Sequence, residues 1–592
     1  MFTTRPELKG TFGMIASTHW LASAAGMSVL ERGGNAFDAA VAAGFTLQVV
    51  EPHLNGPGGE VPILFAASGG PPTVLCGQGT APAAATLDAF SGLDRVPGTG
   101  LLPACVPGAF DAWLLMLRDH GTLSLREVLS HAVHCAEHGF PVVPQIVDRI
   151  TPVAWLFREH WPTSAALWLP GGRAPDAGAL FRNPALAGTF RRIVEEAERV
   201  GPGREAQIEA ARRVWAEGFV ADAIVAFAQL PVADAYGQVH PGLLTRDDLA
   251  GWSASYEEPV TADYHGYTVC KTGPWGQGPV FLQQLRLADA LRTGEVDVLS
   301  AEFVHRVVEG AKLGFADREA YYGDPRFAKV PMATLLSAEY AAGRARLVGD
   351  EASLELRAGS PEGMTPYLTA LVRTATGTTD VPLGAGGEPT VDRSGEQRGD
   401  TCHVDVVDRH GNMVSATPSG GWLSSSPVIP SLGFPLGTRG QMFWLDPDSP
   451  SAVAPGKRPR TTLTPTLVLR DGEPVIALGT PGGDQQDQWS FTYFLRLVHA
   501  NMDLQAGIDA PMFHTNSFPS SFYPREMAPG EVVVESRFGE DVIGELRRRG
   551  HRVVVSEPWS LGRLSAVARD PETKVLRAGA NPRGMQGYAA GR

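Results

Sequence analysis

Cysteine is scarce in this 592-residue chain. The five present, Cys76, Cys105, Cys135, Cys270 and Cys402, are odd in number and lack the spacing of a disulfide framework, which excludes a disulfide scaffold and fits the reduced thiols of a cytoplasmic protein. Long apolar runs are missing too. No stretch is long enough to span a bilayer, and Met1-Phe2-Thr3-Thr4-Arg5-Pro6-Glu7-Leu8 lacks the continuous apolar core of a signal peptide, so no membrane partner is expected. Positive charge is in deficit: 50 Lys and Arg stand against 64 Asp and Glu, a formal net charge of −14. Without a basic stripe, a nucleic-acid partner is excluded. The short run Arg547-Arg548-Arg549 reads as the solvated end of a helix. Internal repeats and low-complexity blocks are also absent.

What is there agrees with a soluble enzyme. A hydrophobic content of 43% with 19% charged residues supplies a large core. His131, His134, Cys135 and His138 share one face of Ser124 to His138 and raise a metal site. Leu125, Val128, Leu129, Ala132, Val133 and Ala136 form the opposite face, so the simplest reading is the wet side of an amphipathic helix, with no metal or cofactor.

The texture of the chain changes at Asp400-Thr401-Cys402-His403. Upstream, Glu351 to Gly399 is rich in Gly, Thr, Ser and Pro and reads as a mobile connection. Downstream, His403 to Asp408 and Met413 to Thr417 flank the turn residues Arg409-His410-Gly411-Asn412, a hairpin whose first strand begins at Thr401. Thr401 then has two readings. It opens a strand, as a β-branched residue often does, or it is a latent nucleophile that self-cleavage after Asp400 would expose together with its own α-amine as base. Cys402 competes for the second role if the cut falls one residue later. Further on, Ala477-Leu478-Gly479-Thr480-Pro481-Gly482-Gly483 joins a strand to a helical pattern of Phe491, Phe494, Leu495 and Val498, an arrangement that offers backbone N–H groups to a negative oxygen. The cluster Asp484-Gln485-Gln486-Asp487-Gln488 reads as a helix cap and first turn, or as substrate recognition by Asp484 or Gln485.

With these residues in view the chain resembles the γ-glutamyltransferase family of N-terminal nucleophile hydrolases over nearly its whole length. The matches run in order: Gly13-Met14-Ile15-Ala16-Ser17, Leu30-Glu31-Arg32-Gly33-Gly34-Asn35-Ala36-Phe37-Asp38-Ala39-Ala40, Val50-Glu51-Pro52 with Gly58-Gly59, Val106-Pro107-Gly108, Tyr264-His265-Gly266-Tyr267, Phe315-Ala316-Asp317-Arg318, Gly323-Asp324-Pro325, Lys457-Arg458-Pro459 and Asn581-Pro582-Arg583. The resemblance implies self-cleavage between Asp400 and Thr401, with Thr401 as nucleophile, Ser419 as the hydroxyl that contacts its amine, Thr417 as a further matched hydroxyl and Gly482 and Gly483 as the oxyanion pair. It also implies an α+β fold, a four-layer αββα sandwich, in which residues 1–400 form a large subunit and 401–592 a small one, interlocked in one unit.

The residues that grip a glutamyl group depart from the family. The arginine that holds its α-carboxylate falls on Gln78, the following asparagine on Gly421, and the aspartate that meets its ammonium on Trp444. A neutral amide lacks the bidentate, charged geometry of guanidinium. The paired serines become Thr461 and Thr462, and the stretch from Trp444 to Lys457 is shorter than the family's lid, which implies an open site. Trp422, Phe443 and Trp444 offer flat apolar surface to a larger substrate, or belong to the core. The expectation is a self-processing hydrolase that passes an unusual acyl group from Thr401 to water. Alternatives are a C–C bond hydrolase of specialised metabolism, as in alkylproline pathways, a conventional γ-glutamyl hydrolase or transpeptidase, and a non-catalytic scaffold.

Overall fold

The protein's structure, a computed structural model, describes residues 3–370, 401–583 and 587–592. Asp400 lies outside them, as does the greater part of the expected connection.

Two seven-stranded sheets face each other. The first runs Tyr588–Gly591, Gly13–Ser17, Val404–Asp408, Met413–Ala416, Val61–Ala66, Thr73–Gly77, Ser255–Glu257, with every neighbour antiparallel. The second runs Leu8–Gly10, Leu576–Ala580, Ser565–Arg569, Glu473–Gly479, Thr466–Arg470, Tyr267–Lys271, Val260–Tyr264. Between them lie Met14, Ala16, Leu64, Ala66, Val407, Met413, Leu467, Ala477, Val567 and Ala578. Helices Trp20–Glu31 and Ala36–Val50 cover the outer face of the first sheet, and Pro279–Ala290, Ala301–Tyr321 and Gln486–His499 cover that of the second. This is the four-layer αββα sandwich.

The hairpins sit where turn chemistry puts them: Gly411 at φ 92° closes one, and Asp471 and Gly472 at φ 52° and 81° close the other. Val404–Asp408 is central, with partners on both sides. The regular ladder starts at Val404 rather than Thr401, because Cys402 N donates to Pro418 O at 2.9 Å and proline has no N–H to return. Thr401 rejoins the pairing as an isolated bridge to Ser419. Every residue of Ala36–Val50 is buried. Its small alanines let it lie close to its neighbours, and Asn35 starts it with a capping box that Asp38 completes. No helix among the described residues is long and apolar enough to cross a membrane.

Residues 351–370 correct one expectation. Instead of running loose they are fastened to the rest of the fold: Lys312 Nζ donates to Ser353 O at 2.9 Å and Gly359 N to Asp317 Oδ1 at 2.7 Å, both on helix Ala301–Tyr321, and Tyr367 Oη donates to Asp446 Oδ2, in the loop after Met442, at 2.8 Å. Such anchors act on backbone and single polar groups, so hydrophobic periodicity does not reveal them.

Two motifs far apart in sequence meet at Asp324, whose carboxylate accepts from Arg458 N at 3.0 Å, Arg458 Nη2 at 3.0 Å and Arg326 Nη2 at 2.7 Å. Burial alone would raise this carboxyl, but hydrogen bonds and charge from Arg326 and Arg458 outweigh it and hold it well below the usual carboxylate range. Its contribution to stability is present above the unfolded carboxyl's value of about 4 and is lost as pH falls below it. Asp324→Asn is expected to cost about 2 kcal/mol at neutral pH by taking from Arg458 one of its two carboxylate partners, with Glu257 remaining. It should also flatten the acid limb of the stability profile, as urea titrations at several pH values would read.

Candidate active site

Along the strand entered at Thr401, alternate side chains point to opposite faces. Cys402, Val404 and Val406 join the helix-side core, while Thr401, His403 and Asp405 face the second sheet. Ser419, Thr417 and Ser415 stand beside them on the neighbouring segment, by the register Thr401↔Ser419 and Asp405↔Ser415. All six are fully buried, at 0% exposure. Thr401 Oγ1 donates to Ser419 Oγ at 3.3 Å. His403 Nδ1 and Thr417 Oγ1 are 2.9 Å apart, His403 Nε2 and Asp405 Oδ1 2.9 Å, and Ser565 Oγ donates to Asp405 Oδ2 at 2.9 Å.

Ser419 is held from two further sides. Its backbone N donates to Glu60 O at 3.0 Å and its O accepts from Glu60 N at 2.9 Å, while Arg439 Nη2 donates to its Oγ at 2.9 Å. Arg439 also pairs with the Glu60 carboxylate and lies between the rings of Trp422 and Phe522. Burial raises the Glu60 carboxyl above its ordinary range, against the pull of Arg439. Neither Glu60 nor Arg439 stands out in the sequence, because only the fold brings them to Ser419. His403 and Asp405 did leave a signal in the alternation Thr401-Cys402-His403-Val404-Asp405.

The glycine loop emerges at the Thr401 end of this arrangement. Ser415 Oγ donates to Leu478 O at 3.3 Å and the His403 ring lies against Gly479, so the chain continuing to Gly482 and Gly483 heads toward Thr401 and Ser419. Gly482 has φ 129° and Gly483 φ 50°, and a Cβ on Gly482 would come within 2.3 Å of the Trp489 ring. Among the described residues neither glycine N–H donates a hydrogen bond, whereas Gly482 O accepts from Gln485 N at 2.9 Å and Gly483 O from Gln277 Nε2 at 3.1 Å. The loop is braced from behind. Arg318 donates to Gln277 Oε1 at 2.8 Å and pairs with Asp484, whose carboxylate also accepts Ser521 N and Oγ, both at 2.7 Å. Asp484 is therefore a structural anchor, not a recognition group. Gln485 Nε2 donates to Asn516 at 3.0 Å.

The remaining expected residues divide. Thr462 Oγ1 is buried without a partner, while Thr461 Oγ1 accepts from Leu463 N at 3.3 Å. Gln78 turns its Nε2 back to Gly79 O at 3.2 Å and leaves Oε1 unpaired in the interior. Gly421, at φ 63°, lies so close to Gly58 and Gly59 that a Cβ would meet their backbone at 2.9 Å, so no side chain fits there. Trp422, Phe443 and Trp444 are buried, and Arg525 covers the Trp444 ring at 4.0 Å. These rings are core, not an open platform, because each is already filled by packing or by a cation.

Comparison with known proteins agrees with this geometry. The model of the gamma-glutamyltranspeptidase family matches residues 22–591. The chain belongs to that family. A glutathione hydrolase-like YwrD proenzyme of Bacillus subtilis (strain 168) is 31% identical, with 98% of this chain and 99% of the relative aligned. The solved structure of LmbA2991HD is 58% identical with a TM-score of 0.94, both chains covered completely. A cephalosporin acylase from Bacillus halodurans is 28% identical with a TM-score of 0.80 over 100% of this chain and 97% of that one. This γ-glutamyltranspeptidase-family protein is accordingly an enzyme, a hydrolase of the N-terminal nucleophile class.

Two competing sites lose ground in the family fold. His131 Nε2 lies 3.3 Å from Arg32, and His134 packs on exposed His138. The three groups that do converge among the described residues are His305, Glu309 and His551, but Glu309 is neutralised by Lys312 and Arg357, and His305 Nδ1 is 2.9 Å from His551. That cationic setting opposes a metal ion. Cys402 Sγ points away from Thr401 and donates to Glu51 Oε2 at 2.9 Å, and burial with the Glu51 charge pushes its thiol well above the ordinary range. Cys402→Ala is expected to keep self-cleavage and turnover within about tenfold of the parent. An uncut Cys402→Ala chain, on a denaturing gel, would restore the thiol as nucleophile.

Proposed function

We propose that this chain is a proenzyme that cuts itself before Thr401 and then hydrolyses a small acyl substrate through a covalent Thr401 intermediate. The observation that carries the reading is the pairing of Thr401 with Ser419 at the end of the polar column toward which the glycine loop runs, the two N–H groups of that loop having no partner among the described residues. The freed α-amine of Thr401 takes the hydroxyl proton, with Ser419 holding the amine, and Oγ1 attacks the substrate carbonyl. The N–H groups of Gly482 and Gly483 stabilise the oxyanion. The amine then returns the proton to the leaving group and activates the water that releases the acyl group. The cut chain is a large and a small subunit in one fold, placed in the reducing cytoplasm in keeping with its five free cysteines.

The acyl group is not a free γ-glutamyl unit. Gln78 presents an unpaired carbonyl oxygen where a carboxylate would need a donor, and Gly421 has no room for a side chain. Thr417, Thr461 and Thr462 remain as hydroxyls beside the site, Thr462 alone with an unspent oxygen among these three. Amide hydrolysis is the first reading, in line with relatives named as a glutathione hydrolase-like protein and a cephalosporin acylase. Hydrolysis of a C–C bond next to a carbonyl, as in alkylproline-type metabolism, is the second. It is favoured by Gln78 and Gly421, which leave no charged grip for an amino-acid head group and so suit a substrate other than an amino-acid amide.

Thr401→Ala is expected to stay a single 592-residue chain without turnover, as intact mass and a denaturing gel would show. On the mature enzyme, mass added to the small chain after incubation with γ-glutamyl, N-acyl and α-keto acid compounds identifies the acyl group. Rapid turnover of a γ-glutamyl amide at low concentration would sink the altered-substrate reading.

A further inference from the structure

Before the chain is cut, Thr401 has no α-amine, because its nitrogen belongs to the peptide bond that must break. The base used in turnover does not yet exist, and another group must accept the proton of Thr401 Oγ1. We propose that Asp405, His403 and Thr417 form a buried base relay that drives self-cleavage before Thr401. This rests on the reading of Thr401 as the nucleophile of the cut, and it gives a role to two residues, His403 and Asp405, that turnover does not require.

The geometry orders the relay. Asp405 Oδ1 lies 2.9 Å from His403 Nε2, and its second oxygen is taken by Ser565 Oγ at 2.9 Å. With the carboxylate as acceptor, the ring carries its proton on Nε2 and turns the Nδ1 lone pair to Thr417 Oγ1, 2.9 Å away. Thr417 and Thr401 are diagonal neighbours on one sheet face, by the register Val404↔Ala416 and Thr401↔Ser419. Diagonal positions lie about 7–8 Å apart, too far for two short hydroxyls to bond, so the proton passes between them through one bridging water. The ring is fully buried. Its other neighbours are Ser415 Oγ at 3.5 Å and Gly479 of the facing sheet, where a Cβ would come within 2.2 Å of the ring. Among the described residues Asp405 is the one charged group bonded to it.

The step balances without any added reagent but water. Oγ1 of Thr401 attacks the Asp400 carbonyl carbon while its proton passes through the bridging water to Thr417 and that of Thr417 passes to His403 Nδ1. The imidazolium is held by Asp405. The C–N bond then breaks as the proton returns by the same route to the Thr401 nitrogen, which leaves an ester and a free amine. Water hydrolyses the ester to the Asp400 carboxylate and regenerates the Thr401 hydroxyl.

The test compares the full-length parent chain, His403→Gln, Asp405→Asn and Thr401→Ala. Cutting is followed by gel and mass over time from pH 5 to 9, folding by thermal melting, and turnover per cut chain on the acyl compounds above. Both relay variants are expected to cut more slowly, His403→Gln by on the order of 100-fold or more, and to lose the pH dependence of cutting seen in the parent. Turnover per cut chain should fall by less than about tenfold, because the amine has by then replaced the relay. Cutting at the parent rate with the parent pH profile overturns the proposal, as does an equal fall in cutting and turnover, which would make the histidine a shared support. If His403→Gln does not fold, Asp405→Asn decides by the same criteria. A Thr401→Ala chain that is still cut overturns the nucleophile assignment itself, whereas an uncut Thr401→Ala beside a normally cut His403→Gln overturns the relay alone.

Discussion

A strand with threonine, histidine and aspartate on one face can be buried between two sheets only if each of those groups finds a partner there. Thr401, His403 and Asp405 do so through Ser419, Thr417 and Ser565. A polar group left unpaired at such depth costs about 1–3 kcal/mol. A slip of one residue would turn Val404 and Val406 toward the polar column and these three into the helix-side core. Register, and with it the place of Thr401, is therefore fixed by polar pairing as firmly as by hydrophobic packing. The facing strand accepts the same constraint, since only glycine at 479 leaves space for the imidazole.

The loop that carries Gly482 and Gly483 is held in a different way, by charge. Arg318 joins Asp484 to Glu319, Arg460 meets Glu319 at 2.7 Å, and Lys271 meets Asp487 at 3.0 Å, all with little or no exposure. Burial acts on both members of the last pair, lowering Lys271 and pushing Asp487 up to about 6. Such pairs add little net stability once desolvation is counted. What they supply is position: they fix the loop that carries Gly482 and Gly483, as the proposed oxyanion role of those N–H groups requires.

The sequence revealed most clearly what depends on neighbours in the chain. The turns at Gly411 and at Asp471-Gly472 are local, so both hairpins are legible, and so are the helices with a clear apolar stripe around Leu125 and Ile193. Ala36–Val50 is harder to read as a helix, since it is buried all round and has no polar face to set a period. At the site, Thr401, Ser419 and the glycine pair stand out because family motifs carry them. Arg439 and Glu60 do not, for their partners lie 20 and 379 residues away. The aromatic residues mislead for a related reason: composition gives ring surface, but only packing tells whether Arg525 already covers Trp444.

In each sheet, strands from before residue 400 alternate in blocks with strands from after it. Val404–Asp408 lies between Gly13–Ser17 and Met413–Ala416, and Glu473–Gly479 reaches Tyr267–Lys271 through a single intervening strand. The proposed scission before Thr401 would therefore sever the covalent thread without opening a seam along which the pieces can part. Once unfolded and diluted, however, two fragments must find each other before either can complete a sheet. Under the proposed processing the precursor would refold as one molecule and the cut protein as two, which would trade reversibility of folding for a persistence set by the rate of unfolding.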